Sequence, residues 1–285
     1  MEILSQEHQL TLKSEQLSLS LDPKRPCPGP ILISHLYEEV FALLAKLEDQ
    51  TVYLHLDLLL YLQKYYRFKG WRLPDLNFVA LPLGYPFQLA DLTIEAFNND
   101  DNAFGSLVCI ISDGQSKLGY APKFVPHGQH KKRIKLWKKA FSQADLDYFC
   151  LSQDLVAATN DFRALTEVGR QKSLTKYLQH LEADQSGQIL LSYEKPERIL
   201  TMQKTALAAG FNLRLAPASQ AFLQALFPFE EPVSQAEATR DLVVVSTPSA
   251  TTFDARASLA IQPVMAPKEA KEFLNVIKAK EVIYL

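Results

Sequence analysis

The feature of this chain that most constrains its fold is a change of texture near Ala157. Up to that point, short apolar segments follow one another with brief links. Leu10, Leu12, Leu17, Leu19 and Leu21 alternate with polar residues around Lys13-Ser14-Glu15-Gln16, which predicts a hairpin with one buried face. Pro23, Pro26, Pro28 and Pro30 mark a stiff loop, followed by an apolar strand from Ile31. Periodicity predicts helices over 38–47, 58–66 and 131–141, with strands over 52–54, 78–83, 89–97, 106–112, 117–121 and 148–151. Many strands joined by short links suggest half of an αββα sandwich. Beyond Ala157 helix and strand alternate. Helices are predicted over 162–182, 198–209 and 219–227, and strands over 189–193, 212–215 and 241–246. Residues 266–285 read as a helix running into a short strand over 281–284.

A chain of 285 residues can bury a large core as one α/β domain or two smaller ones. Its 47% hydrophobic and 22% charged content is that of a globular protein. The net charge of −2 gives no chain-wide attraction to nucleic acid or to an anionic membrane, so any such affinity must come from a local patch. Cys27, Cys109 and Cys150 are widely spaced and odd in number, which argues against a disulfide framework or a Cys-based zinc site and fits a reducing compartment. The N-terminal residues carry neither a basic nor an apolar signal region, and residues 52–62 are broken by His55 and Asp57. A soluble cytoplasmic protein without a membrane span is therefore expected.

One dense basic run stands out over 127–141. On a helix, Ile134, Trp137, Ala140 and Phe141 form an apolar face, and Lys131, Lys132, Arg133, Lys135, Lys138 and Lys139 project from the remainder. The run reads either as a solvated amphipathic helix or as a patch for nucleic-acid phosphates. Tyr65, Tyr66, Phe68 and Trp71, interleaved with Lys64, Arg67, Lys69 and Arg72, make a second aromatic-basic stretch, for which packing is the ordinary reading. The chain carries no nucleophile elbow, P-loop, CxxC or GxGxxG motif.

The segment Ile31-Leu32-Ile33-Ser34-His35-Leu36-Tyr37-Glu38-Glu39-Val40 resembles the Ser/Thr-His-x-His-x-Asp-His loop of the metallo-β-lactamase superfamily. Only His35 keeps that family's ligand; Tyr37 stands for the second His, Glu39 for the Asp and Val40 for the last His. Phe104-Gly105-Ser106-Leu107, Ser112-Asp113-Gly114, Tyr120-Ala121-Pro122-Lys123-Phe124 and His127-Gly128 resemble successive motifs of ribonuclease J-type proteins. In that register Asp101, after Asp100, replaces a ligand His, Lys123 replaces the metal-bridging Asp, and Val264 falls where a further His would lie. Residues 187–193 and Arg198 resemble the opening of a β-CASP insert.

The resemblance implies an α/β fold: an αββα metallo-β-lactamase-like sandwich interrupted by a shortened β-CASP-like α/β insert. The expected division is 1–160 for the first part of the sandwich, 161–249 for the insert and 250–285 for the return segment. It also implies a metal site at His35, Tyr37, Glu39, Val40, Asp101, Lys123 and Val264 that has lost its ligands, so that no metal or other cofactor and no catalytic residue is expected. The implied role is binding, to RNA or another nucleic acid or to a protein partner such as an active relative, with a homodimer also open. The rival expectation is a hydrolase with a rebuilt site using His35, Glu39, Asp100 and Asp101. Lys123 would then sit among Glu39, Asp100 and Asp101 in place of the metal charge, or else point into solvent.

Overall fold

The structure, a computed structural model, describes residues 1–6, 9–101, 103–159, 166–181, 187–230, 240–245 and 264–285. In chain order the first strands are β1 (Glu2–Gln6), β2 (Gln9–Lys13), β3 (Ser18–Leu21) and β4 (Ile31–Ile33). Then come α1 (Val40–Leu44), β5 (Thr51–Leu54), α2 (Leu56–Phe68), β6 (Asn77–Ala80), β7 (Pro86–Leu89) and β8 (Leu92–Asn98). They are followed by β9 (Leu107–Ser112), β10 (Lys117–Tyr120), α3 (Lys131–Gln143) and β11 (Tyr148–Leu151). The alternating part holds α4 (Glu167–Gln179), β12 (Gly187–Leu190), α5 (Pro196–Ala208), β13 (Phe211–Arg214), α6 (Pro217–Leu226) and β14 (Arg240–Val245). Finally α7 (Pro267–Ile277) leads into β15 (Glu281–Tyr284).

The chain divides into two compact units: Met1–Gln63, Arg72–Ala164 and Pro263–Leu285 make the first, and Lys64–Trp71 with Leu165–Gln262 the second. The division expected from sequence ended the first part at 160 rather than Ala164, kept residues 64–71 with it, and began the return segment at 250 rather than Pro263.

The first unit is a mixed α/β sandwich. One six-stranded sheet runs β1-β2-β3-β4-β5-β6 and the other β15-β11-β10-β9-β8-β7. Period-two alternation sends Leu10, Leu12, Leu19, Leu21 and Leu32 from the first sheet onto Ile94, Cys109, Ile111, Leu118 and Tyr120 from the second. The opposite parity of the second sheet, Val108, Ile110, Phe149 and Leu151, buries against Ile134, Trp137 and Phe141 of α3 and Ala270, Phe273 and Ile277 of α7. On the first sheet Ile31, Ile33, Val52 and Leu54 are fully buried as well, as are Val40 of α1 and Leu58, Tyr61 and Leu62 of α2. Two sheets face each other inside, and both outer faces are apolar. That is the αββα layering expected from the strand-rich half.

The hairpin read from the leucines is present, with Leu10 opposite Leu21 and Leu12 opposite Leu19. The strand expected over 89–97 is instead two antiparallel strands, β7 and β8, with Leu89 paired to Leu92. The turn between them is Ala90-Asp91, with Ala90 at φ 52°, and it lacks the Gly or Asn that announces such turns. The Asp91 carboxylate repays that strain by accepting from the Ser14 hydroxyl at 2.5 Å and the Glu15 N–H at 3.0 Å. β1 was not read from the sequence either, yet pairs with β2 along its length.

The second unit carries a three-stranded parallel sheet, order β12-β14-β13. Its core joins Leu174 and Leu178 of α4, Ile199, Met202 and Ala206 of α5, Leu223 of α6 and Leu242 of β14. Arg198 is here a buried structural cation: its Nε meets Glu167 Oε2 at 2.9 Å, with both side chains 5% exposed. Among the described residues no helix is long and apolar enough to cross a membrane.

Gly105 shows how tightly the loop after β8 closes onto α2. Its φ is +77°, and a Cβ there would meet the Leu58 nitrogen at 2.2 Å and the Asp57 carbonyl carbon at 2.7 Å. Gly84, at φ +72°, has nothing within 4 Å. Gly105→Ala is therefore expected to cost about 3 kcal/mol or more, left-handed strain and backbone clash together. Gly84→Ala should cost only the strain, about 1 kcal/mol. Urea unfolding of the two variants checks the difference.

Candidate functional site

The carboxyl ends of β3 and β4 meet the ends of β10 and β11 around a cleft of about 520 Å³. Asp22, His35, Tyr37, Glu39, Tyr120 and Lys123 are among its lining residues. Four of the expected positions, His35, Tyr37, Glu39 and Lys123, thus come together. Val40, Asp101 and Val264 do not line it.

Asp22, which the sequence reading did not single out, organises the site. It sits just past β3 at φ 43°, a left-handed position that Asp tolerates better than most residues. Its Oδ1 accepts from the Ser34 N–H at 2.6 Å, while its Oδ2 accepts from the Ser34 hydroxyl and, at 2.8 Å, from the Tyr120 hydroxyl. His35 Nδ1 lies 3.3 Å from the same Oδ2 and 2.9 Å from Ser34 Oγ. Burial alone would push the Asp22 carboxyl up. The attraction of His35, with hydrogen bonds from His35 and Ser34, outweighs it and holds the group below the usual carboxylate range. Burial, reinforced by the Asp22 charge, raises the Tyr120 and Tyr37 hydroxyls, so both stay neutral donors.

Ser34, His35 and Asp22 do not form a nucleophilic relay. In such a relay serine and carboxylate hold opposite nitrogens of the imidazole, whereas here both face Nδ1 and Ser34 is fully buried.

A two-metal centre of the resembled kind needs several nitrogen and oxygen donors aimed at one point. The Tyr37 hydroxyl donates to the Pro23 carbonyl at 2.7 Å. Val40, at the start of α1, is fully buried and apolar. Glu39 is half-buried and faces Lys24 at 4.0 Å. Val264 is half-buried beside Met265, whose N–H and carbonyl bond Leu155 and Ala157. Among the described residues no three His, Cys, Asp or Glu side chains are grouped to hold a metal ion. These residues do not fit the metal pair.

The acids after β8 are occupied separately. Asp100 Oδ2 accepts from the His130 N–H at 2.5 Å, ahead of the N-terminus of α3, and sits where a Cβ on Gly128 would collide. Asp101 Oδ1 accepts from the Ala103 N–H at 2.9 Å, and its Oδ2 has no partner among the described residues. Lys123 makes no ion pair within 4 Å with Asp101 or Glu39, so it does not stand in for a metal charge between them. Its backbone carbonyl accepts from Asn99 Nδ2 at 2.8 Å, and its side chain lines the cleft.

A second polar knot, also missed, lies at the start of α2. His55 Nδ1 accepts from the Asp57 N–H and its Nε2 meets Asn98 Oδ1, each at 2.8 Å. Burial holds this imidazole below its ordinary value. It read only as a break in an apolar window because its partner Asn98 is 43 residues away.

α3 buries Ile134, Trp137 and Phe141 and leaves Lys131, Lys132, Lys135 and Lys139 exposed. Two of the expected basic residues are used within the protein. Arg133 Nη1 donates to the Asn99 carbonyl at 3.4 Å, and Lys138 Nζ lies 4.8 Å from the Phe273 ring centre. Trp137 is fully buried, against Phe124, Phe141 and Phe273.

The sequence matches no family model and no curated protein. Solved structures do resemble it. A protein of unknown function from Enterococcus faecalis V583 aligns over 90% of this chain and 75% of its own, at 12% identity and a TM-score of 0.65, and shares the fold. A metallo-β-lactamase fold protein from Bacillus subtilis covers 84% of this chain and 88% of its own, at 10% identity and a TM-score of 0.37. A subclass B3 metallo-β-lactamase from a soil metagenome covers 50% and 72%, at 15% identity and a TM-score of 0.36.

Asp22→Asn would turn an amide N–H toward the Ser34 or Tyr120 donors. It is expected to cost about 2–4 kcal/mol at neutral pH. The sign with pH follows from the lowered carboxyl. The stabilisation is complete above the unfolded value near ~3.9 and lost as pH falls through the lower folded value. Denaturant unfolding between roughly pH 6 and 3 should show the native protein losing stability more steeply than the variant.

Proposed function

We propose that this chain is a metallo-β-lactamase-like protein of the ribonuclease J, β-CASP type that has exchanged its metal centre for a closed hydrogen-bond cluster. It acts by binding nucleic acid rather than by hydrolysis. The sandwich layering and the place of the His35 loop at the strand ends support the family reading. Residues 161–249 then correspond to the insert, and His35, Tyr37, Glu39, Val40, Asp101, Lys123 and Val264 to the former ligand positions. The loss of chemistry is supported by the donors present: a tyrosine spent on a carbonyl, a buried valine and a lysine.

The observation that carries the binding reading is α3. Its sequence, KKRIKLWKKAFSQ, holds no carboxylate, and its apolar face is already spent on the core. Outward it presents four exposed lysines around Leu136 and no acid, an arrangement suited to a phosphate backbone. The rival hydrolase reading needs Asp100 and Asp101 beside His35 and Glu39. Those two acids instead serve backbone N–H groups and do not line the cleft.

Elemental analysis of the purified protein is expected to find no stoichiometric zinc or manganese, and a stoichiometric metal would sink the proposal. Fluorescence anisotropy with labelled RNA, repeated over a salt series, tests the binding. The triple variant Lys131→Glu, Lys132→Glu, Lys135→Glu should lower affinity and flatten the plot of log affinity against log salt by roughly 2 units, for three lost single-strand phosphate contacts. Unchanged affinity, or no RNA binding by the native protein at low salt, removes the reading.

A further inference from the structure

The second aromatic-basic stretch ends in a device that packing does not explain. α2 closes with paired bonds typical of a left-handed helix cap: the Gly70 N–H donates to the Arg67 carbonyl at 3.0 Å and the Trp71 N–H to the Tyr66 carbonyl at 2.8 Å. Gly70 takes φ +68°. In this motif the residue after the glycine makes an apolar contact with the last helical turn. Trp71 does so, with its ring 5.9 Å from that of Tyr66 and 6.5 Å from that of Tyr65, both edge-on. Any apolar side chain could fulfil that role. Here a tryptophan does, and it remains 52% exposed.

Its support is rigid. Tyr65 rests edge-on against Phe222 of α6 at 5.9 Å, and Phe68 lies 5.1 Å from Phe222 and 6.0 Å from Tyr193. Its surroundings are cationic. Arg67 and Lys69 are exposed and make no ion pair with a described residue, and Lys69 Nζ lies over the Tyr65 and Phe68 rings at 5.5 and 5.6 Å. From Gln63 to Arg72 there is no acidic residue. An aromatic face beside exposed cations is what an unpaired base and its phosphate require: the base stacks and the phosphate is neutralised. Bases within a duplex offer no face for such stacking.

We infer that Trp71, flanked by Arg67 and Lys69, is a stacking site for a base of single-stranded nucleic acid. The inference rests on the nucleic-acid-binding reading above and specifies its ligand as single-stranded.

The chain's two tryptophans make the test direct. Trp137 is fully buried and Trp71 half-exposed, so quenching of intrinsic emission by a ligand reports Trp71. The probes are an unlabelled uridine 12-mer, a thymidine 12-mer and a blunt RNA duplex, titrated at low salt. Quenching by the single strands but not by the duplex is expected, with RNA and DNA differing little because stacking ignores the sugar. Trp71→Leu keeps the apolar cap contact and removes the aromatic face. It should lower single-strand affinity roughly 5- to 150-fold, whereas Trp71→Phe keeps most of it. Arg67→Glu with Lys69→Glu should weaken binding and reduce its salt dependence. Affinity unchanged in Trp71→Leu, or equal quenching by the duplex, overturns the inference. If anisotropy still shows RNA binding that depends on Lys131, Lys132 and Lys135, the binding reading survives without it. If neither probe binds at all, both fall.

Discussion

One buried carboxylate closes the sandwich at the cleft. Asp22 follows β3 in the first sheet, receives both donors of Ser34 just past β4, and receives the hydroxyl of Tyr120 at the end of β10 in the second sheet. A desolvated carboxylate is costly unless its lone pairs are filled, and here donors from two sheets fill them. The cluster therefore fixes the spacing of the sheets at the cleft and the direction in which the chain leaves β4. His35 is held through Nδ1 by the same group, so its ring orientation is set by the protein's own acid.

That arrangement holds the loop after β4 in place without any bound ion. Where a metal holds a loop, its binding free energy contributes to folding, and removing ligands loosens the loop. Here the hydrogen bonds of Asp22, Ser34 and Tyr37 anchor the segments around the cleft to the backbone directly. Val40 starts α1 and packs in the interior. In the loop after β8, Asp100 accepts from the His130 N–H and Asp101 from the Ala103 N–H. The Lys123 side chain lines the cleft beside His35 and Glu39.

Much of the fold was legible because its signals are local and periodic. Leucines alternating over 10–21 dictated both the hairpin and the face it buries. The apolar spacing of Ile134, Trp137 and Phe141 dictated which side of α3 meets the core. The β7–β8 turn was not legible. Ala90-Asp91 has no turn signature of its own and depends on Ser14 and Glu15, brought near only by the fold. The candidate site was half legible. The strand-Ser-His pattern pointed to the loop at His35, but nothing near Asp22 reveals partners 12 and 98 residues away. His55 escaped for the same reason: a buried polar side chain is defined by a partner that sequence distance hides.

The two aromatic-basic stretches show where such reading ends. Both place a tryptophan among lysines and arginines, and as strings they invite the same interpretation. Trp137 lies inside a helix, where a period near 3.6 ties its direction to that of Ile134 and Phe141 and so to the core. Trp71 lies three residues past the end of α2, beyond the left-handed Gly70, where that period no longer applies. Its direction is set by the cap, which requires only that it touch the last turn of its helix. One tryptophan is thus fully enclosed and the other turns half its surface outward. The difference comes from a single glycine with nothing within 4 Å of its missing Cβ, which therefore serves the backbone turn alone.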